Sequence, residues 1–280
     1  MREFVGIHHT ENSAEKRVIA PFLKMAITIH LRLLAARAPA VLISTKEESL
    51  KSTAANLEIA VNEIPKEIGL QNTLRRVVLE AMFSSTGGVA KVGLYTVGEL
   101  LGHRIGAPFV DVIPQDNYIL DMSAKHISQI QYEGNDYWLD YEDVMESDWL
   151  PKESRIGLES DRYTIIGEAG EERAESIGQD ESADLFKKKI YLRDVWLPSE
   201  KLMVTYAVKS KKRLKTIDWT GPELGPYAKL RFDDVPGNLL SLAPISIWRD
   251  IHELANVLYR KLADQADAQN VQVYLHDGAI

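Results

Sequence analysis

The chain has 280 residues, of which 45% are hydrophobic and 26% charged, and a formal net charge of −8; this is ordinary globular composition, long enough for one large domain or two small ones. It contains no cysteine, which excludes a disulfide framework, thiolate metal sites and a cysteine nucleophile and fits assembly in a reducing cytoplasm. The acidic balance argues against a tight grip on nucleic acid, which requires many Lys and Arg side chains set against phosphates.

The opening, MREFVGIHHTENSAEKR, lacks the apolar core of a signal peptide. The most apolar run, Pro21 to Ala38, is interrupted by Lys24, His30, Arg32 and Arg37 and so does not supply a membrane span. Phe22, Met25, Ile29 and Leu33 recur at helical spacing between Pro21 and Pro39, predicting a helix over about 20–38. A second apolar series, Leu50, Ala54, Leu57, Val61 and Ile64, ends at Pro65, and a third, Leu70, Leu74, Val77 or Val78, and Ala81, ends before Gly87-Gly88. Residues 1–88 are therefore expected to form a helical layer.

Short β-type runs follow: VAKVGLY, APFVDVI, NYILDM, HISQIQYE and DYWLDY, separated by Gly, Pro, Asn and Asp. Gly134-Asn135-Asp136 between two of them predicts a hairpin turn, and a short helix is expected near Tyr141 to Ser147. Residues 167–184 (GEAGEERAESIGQDESAD) are acidic and nearly devoid of apolar side chains, which predicts an exposed loop. KIYLRDVWL and KLMVTYAV, joined at Pro198-Ser199, read as a further hairpin. The basic stretch KSKKRLK, Lys209 to Lys215, comes next, and it reads as a charged surface loop or as a contact for DNA or an acidic partner through Lys209, Lys211, Lys212, Arg213 and Lys215. Pro222, Pro226, Pro236 and Pro244 hold the following segment extended. A long helix then carries one apolar stripe, Trp248, Ile251, Ala255, Leu258, Leu262 and Ala266. The expected fold is α+β: a helical part (1–88), a β-rich, mostly antiparallel part (89–243) holding the acidic loop, and a long amphipathic helix (244–270).

The same path carries fragments of catalytic constellations. His252-Glu253-Leu254-Ala255-Asn256 begins like the zinc-protease HExxH, which needs two imidazoles one turn apart. Asn256 stands where the second His belongs, so a surface or interface His is the better reading. His8-His9 has no further ligand at useful spacing. There is no GxxxxGK[ST] and no GxSxG, and glycines 93, 98, 102 and 106 do not compose GxGxxG. Asp140, Glu142 and Asp143, or Asp233 and Asp234, are of the type that holds Mg²⁺ in nucleases. Acidic turns and helix starts also produce such groups. The aromatic residues between 132 and 149 are interleaved with Asp and Glu, which disfavours stacking on a phosphate-bearing strand. No catalytic residue, metal site or cofactor is expected.

The stretch Trp219-Thr-Gly221-Pro222-Glu-Leu-Gly225-Pro226-Tyr227, with Asp234-Val-Pro-Gly-Asn238, then Ile247-Trp248-Arg-Asp250-Ile-His252-Glu-Leu-Ala-Asn256 and Arg260-Lys-Leu-Ala-Asp-Gln-Ala266, resembles the portal (head-to-tail connector) proteins of tailed bacteriophages. So do Phe4-Val-Gly6, Leu34-Ala-Ala-Arg-Ala-Pro39, Ala55-Asn-Leu-Glu58, Ala81-Met-Phe-Ser84 before Lys91-Val-Gly-Leu94, and Asn117-Tyr-Ile-Leu-Asp-Met-Ser123. The resemblance implies a structural, non-enzymatic subunit. About twelve copies would form a homo-oligomeric ring at one capsid vertex, with double-stranded DNA passing through the channel in packaging and ejection. Implied partners are the major capsid protein, the packaging terminase and head-tail adaptors, with no membrane. The implied location is the virion, after assembly in the host cytoplasm. By order along the chain these residues correspond to the family's wing and stem entrance. The family continues beyond the position matching Ile280 with clip, tunnel loop and crown, so the resemblance implies the first part of a portal subunit. A metal-dependent nuclease using the acidic groups and a DNA- or partner-binding adaptor using Lys209 to Lys215 are the competing expectations.

Overall fold

A computed structural model describes residues 20–37, 39–95, 106–147, 149–160 and 188–269. His8-His9, Gly98, Gly102 and the acidic segment 167–184 lie outside them. The described elements are α1 (Phe22–Leu34), α2 (Lys51–Glu67), α3 (Leu70–Phe83), β1 (Gly88–Leu94), β2 (Pro108–Ile113), β3 (Tyr118–Leu120), β4 (Glu133–Asp140), α4 (Tyr141–Glu146), α5 (Lys152–Arg155), β5 (Lys189–Leu197), β6 (Leu202–Ala207), β7 (Lys212–Asp218), β8 (Tyr227–Leu230), β9 (Asp233–Asp234), β10 (Ser241–Leu242) and α6 (Pro244–Ala268). The fold is mixed α+β, with every described strand pairing antiparallel.

Two sheets are stacked. A three-stranded sheet, β2-β1-β8, has helices on one side and a five-stranded sheet, β3-β4-β5-β6-β7, on the other. Strand periodicity assigns the faces. Even positions of β1 and β8 turn to the helices: a Cβ on Gly88 would strike the Val77 backbone of α3, and Leu230 packs into the helical core of Ala35, Val78, Met82, Leu74 and Trp248. Odd positions turn to the large sheet, where Val89, Ile113 and Tyr227 meet Trp196 and Met203. The rest of that inner face is covered by the segment from α4 to Leu158, whose Val144, Leu150 and Leu158 pack on Ile190, Leu192, Ala207 and Leu214.

Several predicted elements shift. α1 is three to four residues shorter at its C-terminal end than the predicted helix, and α2 runs past Pro65 to Glu67, since a proline in the last turn forfeits only one ladder bond. Residues 126–132 are not a strand, and of the predicted run only Glu133 enters β4: Ile127–Gln129 form a 3-10 turn. The Asp121 carboxylate closes this loop by accepting the Gln131 and Ser123 N–H groups at 3.1 and 3.0 Å, and Ile130 is buried with Ala124 and Leu239. Lys212, Arg213 and Lys215 stand on the edge strand β7, with Lys209 and Lys211 in the turn before it. The proline-rich approach contains β8.

Gly134-Asn135-Asp136 is not a hairpin turn but part of β4, paired on both sides with β3 and β5. Glycine stands there because the β5 backbone passes too close for a side chain: a Cβ on Gly134 would collide with the Asp194 carbonyl oxygen. Gly134→Ala therefore forces a backbone shift in the central strand pair, and a loss of about 1–3 kcal/mol is expected, read as a lower urea midpoint at unchanged slope.

Candidate functional site

The segment Trp219 to Tyr227 joins the last strand of the large sheet to β8 of the small one. Trp219 packs against Trp196 with ring centroids 5.6 Å apart, and its indole N–H donates to the Pro222 carbonyl at 2.7 Å. Both glycines of the segment press on these rings. A Cβ on Gly221 would meet the Trp219 ring at 2.5 Å. Gly225, at φ +80°, has the Trp196 indole where a side chain would be. The Pro226 carbonyl accepts the Val92 N–H at 2.8 Å. The segment is thus a clasp wound on two indoles, and it delivers Tyr227 to the space between the sheets.

That space holds a buried polar network. Tyr227 donates to Asn135 Oδ1 at 2.8 Å, and Lys91 Nζ donates to the same oxygen at 3.0 Å. Lys91 also pairs with Asp194 Oδ2 at 2.5 Å, while Thr205 and Tyr137 donate to Asp194 Oδ1 at 2.6 and 3.2 Å. Beside it Lys229 pairs with Glu133 at 2.5 Å, and Tyr118 donates to the same carboxylate at 2.7 Å. Burial, then the Glu133 charge, holds the Tyr118 phenol far above its ordinary range; burial, then Asp194, does the same to Tyr137 and Tyr227. All three remain neutral donors. No motif marks these residues. The available signal is phase: in β5 the inward series Ile190, Leu192, Asp194, Trp196 carries a carboxylate at an apolar position, which asks for a buried partner.

On the opposite face of the large sheet, Arg193 holds Asp136 in a two-pronged pair at 2.6 and 2.7 Å. Hydrogen bonding to Asp136 raises the Arg193 pKa further, so it stays charged. With Ile119, Tyr132, Val195, Leu197, Val204 and Tyr206 it lines an open groove.

The basic run is divided by the fold. Lys212 Nζ donates to the Glu153 and Ile156 carbonyls at 3.1 and 2.6 Å, and Lys209 Nζ donates to the Ser160 carbonyl at 3.2 Å. Lys215 lies over the Trp149 ring at 5.6 Å, and burial lowers its pKa. Three of the five cations are thus occupied in fastening residues 149–160 to the β6–β7 hairpin, and the predicted basic patch is reduced to Lys211 and Arg213.

His252 and Asn256 are both buried on α6. Asn256 Nδ2 donates to the His252 carbonyl at 3.0 Å and lies 3.1 Å from its ring, while Asn256 Oδ1 accepts the Ala20 N–H at 3.0 Å. The pair anchors the start of α1. Trp248 packs on His30, centroids 4.8 Å apart; Asp250 is exposed. Asp233 and Asp234 form an exposed two-residue strand, with Arg231 3.8 Å from Asp234. Among the described residues no three His, Asp or Glu side chains are grouped to hold a metal ion, and no helix is long and apolar enough to cross a membrane.

Of the predicted apolar stripe of α6, Trp248 and Ala255 lie on the line that packs and the rest do not. The inward line is Trp248, His252, Ala255 and Asn256, whereas Ile251, Leu258 and Leu262 are 63, 52 and 63% exposed, together with Ile247, Leu254 and Val257. On α1, packed against α6, Met25, Ile29 and Leu33 are likewise exposed, with Leu33 at 74%. Apolar rows of this extent on helices mark a surface made for contact, and this one is the candidate functional site. Neither protein-family models nor curated proteins match the chain.

Two outcomes test the network and the divided basic run. Lys91→Met or Asp194→Asn alone strands a buried charge and lowers stability by about 3–5 kcal/mol; the double variant loses much less than the sum in a urea double-mutant cycle. Lys215 is protonated less readily folded than unfolded, so its burial costs stability at neutral pH, and that cost fades as pH rises toward its ordinary value near ~10. Lys215→Met therefore raises the urea midpoint at pH 7, by an amount that shrinks in titration toward pH ~10.

Proposed function

We propose that this chain is a structural subunit of a tailed-phage portal ring, standing at the capsid vertex where DNA enters and leaves. The reading joins the resemblance of Trp219 to Ala266 with the uncovered apolar rows of α1 and α6, and the second observation carries it. A subunit whose role is assembly keeps such a surface for its neighbours. The portal wing, with its stem-entrance helix, is the part of the family to which α1 to α6 are assigned here. In this reading the protein is not an enzyme: it passes DNA through a channel, and the energy for packaging comes from the terminase docked on the ring. A net acidic chain, several of whose lysines are occupied internally, suits a conduit, since a channel that lets DNA slide must not hold many phosphates at once. The capsid protein, the terminase and the head-tail adaptors are the partners that follow, and the virion the location.

Mass measurement by light scattering with negative-stain imaging tests this. Rings of many copies are expected at high protein concentration, and a strictly monomeric protein counts against the proposal. Duplex DNA incubated with Mg²⁺ or Mn²⁺ stays intact; cleavage abolished by Asp233→Ala or Asp143→Ala would instead establish a nuclease.

A further inference from the structure

The helical layer leaves a second surface uncovered. α2 spans 17 residues and buries no side chain, and α3 is the one described helix with which it has substantial contact. Leu50, Leu57 and Ile64, seven residues apart, form an exposed row at 45, 51 and 37%. Beside α2 runs the extended segment 40–45, fixed by side chains in place of a strand: Asn62 accepts the Val41 N–H and donates to the Val41 carbonyl, both at 2.9 Å, and Glu58 accepts the Ile43 N–H at 3.1 Å. Leu42 projects from it, 83% exposed. A helix of this length is marginal in water without a packed face, so α2 is an arm built to be covered.

Charge identifies what covers it. Residues 46–67 carry three cations, Lys46, Lys51 and Lys66, against five carboxylates, Glu47, Glu48, Glu58, Glu63 and Glu67. The α1–α6 surface has the opposite balance: Lys24, Arg32, Arg37, Arg249, Arg260 and Lys261 against Asp250, Glu253 and Asp264. Each surface carries both signs, but pairing either with its own copy sets like net charge on like; pairing one with the other sets net acid on net base and apolar row on apolar row. We infer that the α2 arm of one copy docks on the α1–α6 face of the next. Such a contact is head-to-tail, leaves one free arm and one free face at the ends of any open chain, and closes only as a ring. The inference rests on the ring-subunit reading and names the surfaces that make it.

Complementation tests it. Leu57→Glu with Ile64→Glu disables the arm and spares the face; Ile251→Glu with Leu258→Glu does the reverse. All four sites are exposed or nearly so, and circular dichroism verifies that each variant is folded. Each alone is expected to be monomeric by light scattering, and an equimolar mixture to double in mass by joining the intact face of one to the intact arm of the other. If wild type assembles while the mixture stays monomeric, or if either variant alone still self-associates, the pairing is wrong and the ring reading stands. If wild type is itself monomeric, both fall. Because the chain has no cysteine, Leu57→Cys and Leu254→Cys single variants give an independent readout: a short bis-maleimide cross-links their mixture into dimers and neither alone. Cross-linking within either single variant, or none in the mixture, overturns the pairing.

Discussion

The architecture turns on two buried cations meeting two buried carboxylates between the stacked sheets. Lys91 and Lys229 project from β1 and β8 of the small sheet, and Asp194 and Glu133 from β5 and β4 of the large one. A misplaced strand would leave a charge facing an apolar wall, at a cost of several kcal/mol. One register of the small sheet over the large one satisfies both lysines together, so the pairs act more as a specification of alignment than as a source of net stability. Apolar packing of Val89, Ile113, Trp196, Met203 and Tyr227 supplies the attraction.

The Trp219 to Tyr227 clasp follows from that alignment. Tyr227 must reach Asn135, which also takes Lys91, so the chain leaving β7 must arrive at β8 with its phenol turned inward. The two indoles provide a rigid surface to turn on, and Gly221 and Gly225 let the backbone lie against them. The segment that carries the family resemblance is therefore a structural joint, and its conspicuous residues serve the fold before any partner. On the far side of the small sheet, Leu230 and Trp248 join the helical core. The joint thereby holds the helices, and whatever surface they present, in fixed relation to the large sheet.

Two uses of charge differ across the molecule. Where Lys and Arg meet defined acceptors inside the chain, as Lys91, Lys212 and Arg193 do, they are withdrawn from outside partners. Charges flanking the exposed helices lie at the surface, several in local pairs such as Lys66–Glu63 and Arg249–Glu253, and rim charges of that kind steer association and select orientation more than they add affinity. The basic stretch Lys209 to Lys215 illustrates how a linear run misleads: Lys209, Lys212 and Lys215 are taken up by residues 149–160, so a cluster in sequence is not an open patch in space.

Local periodicity determined much of this protein. The helical spacing near α1, α3 and α6, the alternation of β5 and β6, and the turn at Pro198-Ser199 were all legible, because each depends on residues within a few positions of one another. Tertiary structure alone decided which row of α6 is buried. Its inward line includes His252 and Asn256, polar residues that no apolar count selects, and their use depends on the Ala20 N–H, 236 positions away in sequence. It also decided that Gly134 lies within a strand: the turn chemistry of Gly-Asn-Asp is real, but the passing Asp194 backbone gives the glycine a different purpose. The ion pairs between the sheets were beyond local reading for the same reason, Lys91 and Asp194 being 103 residues apart. A buried charge announces only that it needs a partner, and folding chooses which.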